Sequence, residues 1–391
     1  MKQLKVSIII DDSIIDSHHG VRRYLLSISE NLKSYAEVSF YKIIPSSENI
    51  YRYAKIIFDQ DFSYNNGFYE STKLESVTRG AILDYYFSDG YQKSNDVEYF
   101  KYTSIFWGEY LPPADVCLVG APWILSKNLD GFNSSKVYCV GYDAIPIIYS
   151  FNNINDEGLY KFAREHYQGY IKAVTVFDGI LAISLASKRQ ILSVINNYIE
   201  KIFVVPPFLP VGFDSNKFAK KNLLSRDKNS LVLAAPFDER KGFKDIPAII
   251  KNTSIEKIKI FGGVRCNIED VVCFFESLSS ISIDWWPKVS TQDQVNIYSS
   301  SSLLIFPSHS EGLGLPVMEA LSCGTNVLVT DIEPLNKLVK NESILSHDPT
   351  LNISKVEHFL NVDNTEDNMI YAKSSWGKDN FNKQFLKILD K

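Results

Sequence analysis

The chain has 391 residues, of which 45% are hydrophobic and 22% charged, a composition typical of a globular protein with two to three domains. It carries 41 Lys and Arg residues against 46 Asp and Glu, a net charge of −5, which argues against nucleic acid as a partner. The five cysteines are scattered without metal-ligand spacing, so we expect neither a zinc site nor a disulfide framework, and a cytoplasmic location. No apolar run reaches the length of about 18 residues that a membrane span needs.

The first half of the chain alternates short β-branched runs with helical patterns. Apolar positions repeat at helical spacing between Val21 and Leu32, and a second helical pattern covers residues 156–173. Such alternation predicts a parallel sheet with crossover helices, a doubly wound α/β architecture. Residues 46–104 are rich in Tyr, Ser, Asn and Asp and show no steady period, so we expect irregular surface and short helices there. The predicted strands are 6–10, 38–44, 116–119, 137–141 and 180–184.

The same alternation restarts after a polar, Lys-rich segment at residues 206–230, which follows Pro206 and Pro207 as a linker would. Two Rossmann-like domains are therefore predicted, at residues 1–205 and 206–370, with a helical tail at 371–391. The predicted strands of the second half are 231–235, 258–262, 281–285, 303–306 and 327–330, and its helices are 245–250, 268–278, 292–298 and 315–321.

The most informative motif begins at the end of the predicted strand 303–306. Glu311 follows that strand, and Gly312 and Gly314 permit a tight loop before Pro316, which suits the first position of a helix. A loop lined by backbone N–H groups then meets a helix N-terminus, which is a ready site for a diphosphate. Glu319 lies about one turn into that helix, so both glutamates can face one ligand at different ends.

This stretch strongly resembles the Glu-x7-Glu donor-site motif of retaining glycosyltransferases of family 4. That resemblance implies the GT-B fold, in which two Rossmann-like domains face a cleft and the C-terminal helix crosses back. It assigns acceptor binding to residues 1–205 and nucleotide-sugar binding to 206–370. It further implies that Glu311 contacts the donor sugar, that Glu319 bonds the nucleotide ribose, and that the loop residues bind the donor. Those loop residues are Gly312, Leu313, Gly314 and Leu315.

A basic pair follows the first strand of the second half. Arg240 and Lys241 precede Gly242 at the end where a doubly wound sheet binds ligands, and adjacent cations there could neutralise a diphosphate. The family has a similar motif that holds the leaving phosphates, so the resemblance makes both residues catalytic. Gly263 lies in a loop that resembles the nucleotide-contacting loop of the family, although a plain turn explains that loop equally well.

The first half departs from the pattern of the family at two places. A loop with two glycines usually opens the first helix, whereas this chain has only Gly20 after two histidines; Gly20 still permits close approach of a ligand. Many relatives read His-Asp-x-Ile-Pro where this chain has Tyr142 and Asp143. The resemblance places Tyr142 at the donor sugar and Asp143 in the catalytic centre, and a strand-ending turn is the alternative for both.

No metal is predicted. Asp59 and Asp61 imitate the Asp-x-Asp signature of metal-dependent GT-A glycosyltransferases, but such triplets are frequent by chance. His18 and His19 lack an acidic or cysteine partner at metal-ligand spacing.

The resemblance implies a metal-independent transferase that moves a sugar, with retention, from a nucleotide-diphosphate sugar to a glycan, lipid-linked or protein acceptor. The expected setting is surface polysaccharide or glycoconjugate assembly, with no cofactor other than the donor. Peripheral membrane contact, an oligomer and a partner glycosyltransferase stay open, as do the donor and the acceptor. Two alternatives remain: a non-catalytic GT-B subunit that binds a partner enzyme or a glycan, and a GT-B sugar-nucleotide epimerase.

Overall fold

The computed structural model divides the chain into two compact units. Unit 1 comprises Met1–Asp61, Glu98–Val211 and Lys378–Lys391, and unit 2 comprises Phe62–Val97 and Gly212–Gly377. The residues described are 3–16, 19–46, 51–58, 71–88, 102–151, 156–213 and 226–389.

Unit 1 is built on an eight-stranded sheet with the order β5-β3-β2-β1-β6-β7-β8-β9. In this sheet order, each strand from β2 to β9 runs parallel to its neighbour. The strands β3 and β5 are antiparallel additions at one edge. The central strands are buried β-branched runs, as is typical of sheets covered on both faces. The strands are β1 Leu4–Ile10, β2 Ala36–Pro45, β3 Tyr51–Phe58, β5 Tyr102–Gly108, β6 Ala114–Val119, β7 Ser134–Gly141, β8 Gly179–Ala182 and β9 Ile202–Val204.

The helices of unit 1 carry the amphipathic patterns that the sequence predicts. The longest spans Glu157–Thr175, and its N-cap Asp156 accepts a hydrogen bond from the Leu159 N–H. Ser184 caps the next helix by accepting from the Ser187 N–H at 2.9 Å. These helices are α1 Asp12–Asp16, α2 His19–Leu32, α4 Pro122–Leu125, α5 Ile145–Ser150, α6 Glu157–Thr175, α7 Leu185–Val194 and, at the C-terminus, α15 Lys378–Leu389.

Unit 2 contains a six-stranded sheet with the order β14-β13-β10-β11-β12-β4. Every strand except β4 is parallel to its neighbour. The strands are β4 Thr72–Leu74, β10 Asp227–Ala234, β11 Lys257–Phe261, β12 Ser282–Lys288, β13 Ser301–Phe306 and β14 Asn326–Val329. The helices are α3 Arg79–Tyr86, α8 Ile246–Ile250, α9 Ile268–Ser277, α10 Thr291–Ser299, α11 Leu315–Ser322, α12 Leu335–Leu338, α13 Pro349–Asn361 and α14 Thr365–Trp376.

The prediction of irregular surface and short helices at residues 46–104 is wrong for the strands β3, β4 and β5, whereas the short helix α3 agrees with it. β3 and β5 pair with each other there, and β4 and α3 add to unit 2 although they lie in the N-terminal half of the sequence. The compact units therefore differ from two consecutive domains of residues 1–205 and 206–370. Antiparallel edge strands such as these need only one buried face, so polar and aromatic residues obscure their period.

The predicted C-terminal helix is two helices, because Gly377 interrupts it after Trp376 with an extended backbone. The last helix, α15, belongs to unit 1. There Asn382 donates a hydrogen bond to the Asn31 carbonyl at 2.9 Å, and the buried ring of Phe381 packs on Phe208 at a centroid distance of 4.6 Å.

Across the described ranges, the helices are too short or too polar to span a bilayer.

Candidate active site

The candidate active site lies where the strand order of the unit 2 sheet reverses. β10 is the first parallel strand of that sheet along the chain, and it lies between β11 on one side and β13 on the other. Ligands of doubly wound sheets bind at this switch point, beyond the carboxyl ends of the strands. The loops that leave β10 and β13 there contain the predicted basic pair and the predicted Glu311.

The loop after β10 forms a short 3-10 turn, Glu239–Lys241, which the Asp238 carboxylate caps by accepting from the Arg240 N–H at 3.2 Å. Gly242 ends the turn with a left-handed φ of 67°. A Cβ atom on Gly242 would lie 2.1 Å from the Pro307 carbonyl oxygen, so only glycine permits the two loops to approach this closely.

The structure brings Glu311, Arg240 and Lys241 into one ion cluster. Oε1 of Glu311 accepts from Lys241 Nζ at 2.6 Å, from Arg240 Nη1 at 3.2 Å and from Ser308 Oγ at 2.9 Å. The ammonium of Lys241 also lies 4.5 Å from the centroid of the Phe306 ring, a favourable cation–π contact. Glu311 is only 7% exposed, so its carboxylate is paired with the two cations largely out of contact with water.

Burial and pairing act in opposite directions on these two ionisable groups. Burial alone would raise the pKa of Glu311, but the neighbouring Lys241 and Arg240 outweigh it, so the pKa lies below its usual value. Burial lowers the pKa of Lys241, and the Glu311 carboxylate counteracts only part of that shift. Glu311 is therefore an ionised acceptor, and it is not set up to donate a proton.

Beside this cluster, Gly314 starts helix α11 in the left-handed conformation, with φ 85°. A Cβ atom there would lie 2.6 Å from a methyl carbon of Leu335. The backbone N–H groups at the start of a helix have no intrahelical acceptor, and Leu315 begins the helix with Pro316 directly after it. Gly312 and Leu313 complete the loop between the cluster and the helix, so an anion held by the cluster would also meet a helix N-terminus.

Glu319 lies one turn further along α11 and is only 2% exposed. Its Oε2 accepts a hydrogen bond from the Tyr298 hydroxyl at 3.2 Å. Tyr298 comes from α10, and its ring packs edge-on against Phe261 at 5.3 Å. The sequence analysis missed Tyr298, because a buried tyrosine on an amphipathic helix has the same pattern as an ordinary core residue.

Gly263 follows β11 and is exposed. A Cβ atom on it would lie 3.8 Å from the carbonyl oxygen of Pro287 in β12, and the N–H of Gly262 donates to the Trp286 carbonyl at 2.9 Å. The loop that leaves β11 thus begins beside the last residues of β12, at the same carboxyl end of the sheet as the ion cluster.

In unit 1, Tyr142 and Asp143 make the contacts of a strand-ending turn. The Tyr142 hydroxyl donates to the Gly120 carbonyl at 2.9 Å, and burial raises the pKa of Tyr142 well above its usual value, so the phenol stays neutral. Asp143 Oδ1 accepts from the Ile145 N–H at 3.0 Å, which fixes the start of α5. Gly20 lies exposed in the first turn of α2, and a Cβ atom there would meet nothing within 4 Å.

Most of the residues considered for a metal fall outside the described ranges. Asp59, Asp61 and His18 lie outside the described residues, and His19 begins α2. Within the described ranges, no three His, Cys, Asp or Glu side chains come close enough together to hold a metal ion.

The sequence analysis also missed a cluster at the switch point of the unit 1 sheet, between β1 and β6. Asp11 follows β1 and is 6% exposed. Its Oδ2 accepts from Lys127 Nζ at 3.0 Å and from the Trp123 indole N–H at 3.2 Å, and its Oδ1 accepts from the Ser13 hydroxyl at 2.6 Å. The position of Asp11 directly after a buried strand was the available signal.

Comparison with known proteins finds similarity for the second half of the chain. Residues 214–376 match the family described as glycosyl transferases group 1, a segment that covers most of unit 2. The chain is 23% identical over 220 residues to the serotype-specific mannosyltransferase WbdA of Escherichia coli, which is 52% of this chain and 26% of WbdA. It is 22% identical over 235 residues to the O-antigen chain mannosyltransferase RfbU of Salmonella typhimurium, which is 57% of this chain and 64% of RfbU. The chain thus spans less than two thirds of these curated relatives.

The fold is also shared with solved structures. The crystal structure of Anabaena Alr3699/HepE in complex with UDP matches with a TM-score of 0.59 at 11% sequence identity, over 99% of this chain and all of the other. The predicted GT-B fold class, with two sheets that are largely parallel, is thereby confirmed.

Proposed function

We propose that this chain, whose residues 214–376 belong to the glycosyl transferases group 1, is a glycosyltransferase that moves a sugar from a nucleotide-diphosphate sugar to a glycan, lipid-linked or protein acceptor. The observation that carries the proposal is the cluster of Glu311, Arg240 and Lys241 beside the N-terminus of α11. Surface polysaccharide assembly is the proposed setting, since WbdA and RfbU bear the names of serotype-specific and O-antigen mannosyltransferases.

The cations of the cluster suit a leaving diphosphate. When the bond between the sugar and the phosphate breaks, negative charge grows on the diphosphate and positive charge on the sugar. Arg240 and Lys241 stabilise the first charge from fixed positions, together with the N–H groups around Gly314. Because Glu311 already holds both cations, a diphosphate has only to share them, and little reorganisation is needed.

Glu311 has a different task. Its lowered pKa keeps it ionised beside Lys241 and Arg240, so it can accept a hydrogen bond from a donor-sugar hydroxyl and stabilise the positive charge that develops on the sugar. We assign it these two roles. Retention at the anomeric carbon follows from the family resemblance, with a leaving phosphate oxygen that takes the proton of the acceptor.

Glu319 is proposed to bind the ribose of the donor, with Tyr298 holding its carboxylate. UDP is bound by Alr3699/HepE, and uridine is accordingly the first nucleoside to test.

Unit 1 is proposed to bind the acceptor. A carboxylate and an indole at its switch point, Asp11 and Trp123, suit a ligand that presents hydroxyl groups, such as a glycan. Tyr142 and Asp143 stabilise the turn after β7 through hydrogen bonds to the backbone. To contact the donor sugar as well, each side chain would have to share its polar group between the backbone and the sugar.

That turn also supports a second candidate function, a non-catalytic GT-B subunit. Tyr142 stands where many relatives have His, and its hydroxyl donates a hydrogen bond to the Gly120 carbonyl. A subunit of this kind would bind nucleotide sugar or glycan without turnover.

Release of nucleoside diphosphate from a panel of nucleotide sugars, with and without glycan acceptors, separates these candidates. We expect acceptor-dependent release with one donor, and its loss in Lys241→Ala. Lys244→Ala is the matched control, because Lys244 lies three residues further on and pairs with Asp270 at the surface. Donor binding without any release would favour the non-catalytic subunit, and the absence of donor binding would overturn the glycosyltransferase.

A further inference from the structure

A segment from the N-terminal half of the sequence completes the sheet of unit 2. This segment, residues 71–86, consists of Ser71, β4 and α3, and we call it the strap. β4 pairs with β12, with Leu74 opposite Trp285 and Thr72 opposite Lys288. The family match begins only at residue 214, so the strap lies outside the part of the chain that the family describes.

The strap is an integral part of unit 2. Ile82 of α3 is 0% exposed and packs in the hydrophobic core of that unit. Arg79 forms a bidentate contact with Glu269 at 2.7 and 2.9 Å, and Lys73 pairs with Asp284 of β12. Buried apolar area fixes the strap in place, and the ion pairs fix its register.

The direction of β4 brings the start of the strap to the functional end of the sheet. Because β4 is antiparallel to β12, Ser71 and Thr72 lie at the carboxyl end of β12. The Ser71 hydroxyl accepts from the Ser290 N–H at 3.0 Å and donates to Asp293 Oδ2 at 2.5 Å. Ser290 caps α10 by accepting from the Asp293 N–H at 3.1 Å. Ser71 therefore fixes the N-terminus of the helix that carries Tyr298 to Glu319.

The strand order indicates which part of a donor would lie here. A diphosphate at the start of α11 lies beyond β13, and β11 and β12 are two and three strands away, which is about 10 to 14 Å. That distance matches the reach of a nucleoside beyond its diphosphate. The exposed Gly263 and the Pro287 carbonyl border this region, and Thr72 opposite Lys288 closes its outer side.

We propose that the start of the strap, at Ser71 and Thr72, forms the outer wall of the nucleoside subsite and that Ser71 is a positioning residue for the donor nucleotide. This inference rests on the proposed glycosyltransferase function. Ser290 is only 4% exposed, so without the Ser71 hydroxyl its N–H loses a partner that water replaces poorly. The loop after β12 then loosens, and α10 and Tyr298 lose part of their support.

The test is calorimetric titration of the full chain with UDP, GDP, ADP and TDP. Ser71→Ala weakens the best of these ligands by about 3- to 10-fold, as the loss of a hydrogen bond predicts. Ser71→Thr, which keeps the hydroxyl, stays within about 2-fold of wild type by the same measure. Ser76→Ala is the matched control, because the exposed Ser76 hydroxyl donates to the Thr78 hydroxyl within the strap at 3.3 Å, and we expect wild-type affinity. In kinetics, Ser71→Ala raises the donor KM and leaves kcat near wild type.

Equal nucleotide affinity in wild type and Ser71→Ala overturns the inference while the proposed function stands. An equal loss in Ser76→Ala also overturns it, since the effect would then report general destabilisation. Failure of wild type to bind any of the four nucleotides overturns the proposed function and, with it, this inference.

A second pair of variants is independent of the stability of Ser71→Ala. Thr72 and Glu75 are both exposed in the strap, so neither substitution disturbs the core. Thr72→Tyr changes the order of affinity among the four nucleotides, whereas Glu75→Tyr leaves it unchanged. An unchanged order in Thr72→Tyr contradicts the assignment of the wall.

Discussion

The switch points of the two sheets carry different chemistry at equivalent positions. In unit 2, two cations and one buried carboxylate meet beside a helix N-terminus, through Arg240, Lys241 and Glu311. In unit 1, the buried carboxylate of Asp11 meets a single cation and an indole, through Lys127 and Trp123. The first arrangement suits a phosphorylated ligand, and the second suits a ligand with hydroxyl groups. Under the proposed function, one doubly wound architecture supports two binding tasks, and the residues at the strand ends decide which one.

The largest expected effect comes from breaking the unit 2 cluster. Lys241→Ala removes a cation that is worth more in the transition state than in the ground state, because charge grows on the leaving diphosphate. We expect kcat to fall by about 100-fold or more, measured by steady-state kinetics with the best donor. Lys244→Ala should keep the wild-type kcat, and a wild-type kcat in Lys241→Ala as well would remove the cluster from the active site.

Glu319→Ala should weaken binding of the donor nucleotide while the fold persists. A hydrogen bond from a charged carboxylate to the ribose is worth about 1.5–3 kcal/mol, which corresponds to roughly 10- to 150-fold in affinity by calorimetry. Glu342→Ala, at an exposed site of the same unit, is the control. Unchanged nucleotide affinity in Glu319→Ala would show that this carboxylate does not bind the ribose and acts only as the hydrogen-bond acceptor of Tyr298.

Asp11→Asn tests the unit 1 side of the comparison. The substitution removes the charge that pairs with Lys127 but retains the size of the side chain, and we expect the acceptor KM to rise by about 10-fold, as for a weakened charged hydrogen bond. Asp12→Asn is the matched control, since Asp12 is adjacent, exposed and paired with Lys42. An acceptor KM that rises equally in both variants would contradict the assignment.

Tyr298→Phe should produce a smaller loss. It removes one neutral donor to Glu319, so we expect nucleotide affinity to fall by about 2- to 10-fold. Tyr371→Phe, in α14 of the same unit, is the control and should bind as wild type. Equal nucleotide affinity in wild type and Tyr298→Phe would show that the Tyr298 hydroxyl does not position Glu319 for nucleotide binding.

The smallest expected effect is that of chelation. Because we propose that Arg240 and Lys241 take the place that a divalent cation has in other transferases, activity should survive dialysis against EDTA. Loss of turnover that Mg²⁺ or Mn²⁺ restores would contradict this expectation and return attention to Asp59 and Asp61.

The sequence predicted unit 2 well and the edges of unit 1 poorly, for a physical reason. Buried parallel strands are continuous β-branched runs, and the parallel strands of the unit 2 sheet end and begin within three residues of their predicted bounds, except that β10 starts four residues earlier than predicted. The strands β3 and β5 have an exposed face and many polar and aromatic residues, so their period is obscured.

The strap could not be predicted, because three residues of β4 carry no signal of their own and pair with β12 more than 200 positions away. The site shows the same limit. Its motifs identified Arg240, Lys241 and Glu311 separately, but their pairing across 70 positions depends on the switch-point geometry. Asp11 and Tyr298 matched no motif, and only their neighbours in space distinguish them.

The comparison of the two switch points is tested most directly by measuring both Michaelis constants in two variants. Steady-state kinetics of Glu319→Ala and Asp11→Asn should each be followed against donor and acceptor. We predict that Glu319→Ala raises the donor KM and leaves the acceptor KM near wild type, and that Asp11→Asn does the reverse. If either variant moves the opposite constant, or if both constants move together in both variants, then donor and acceptor are not divided between the two units as proposed.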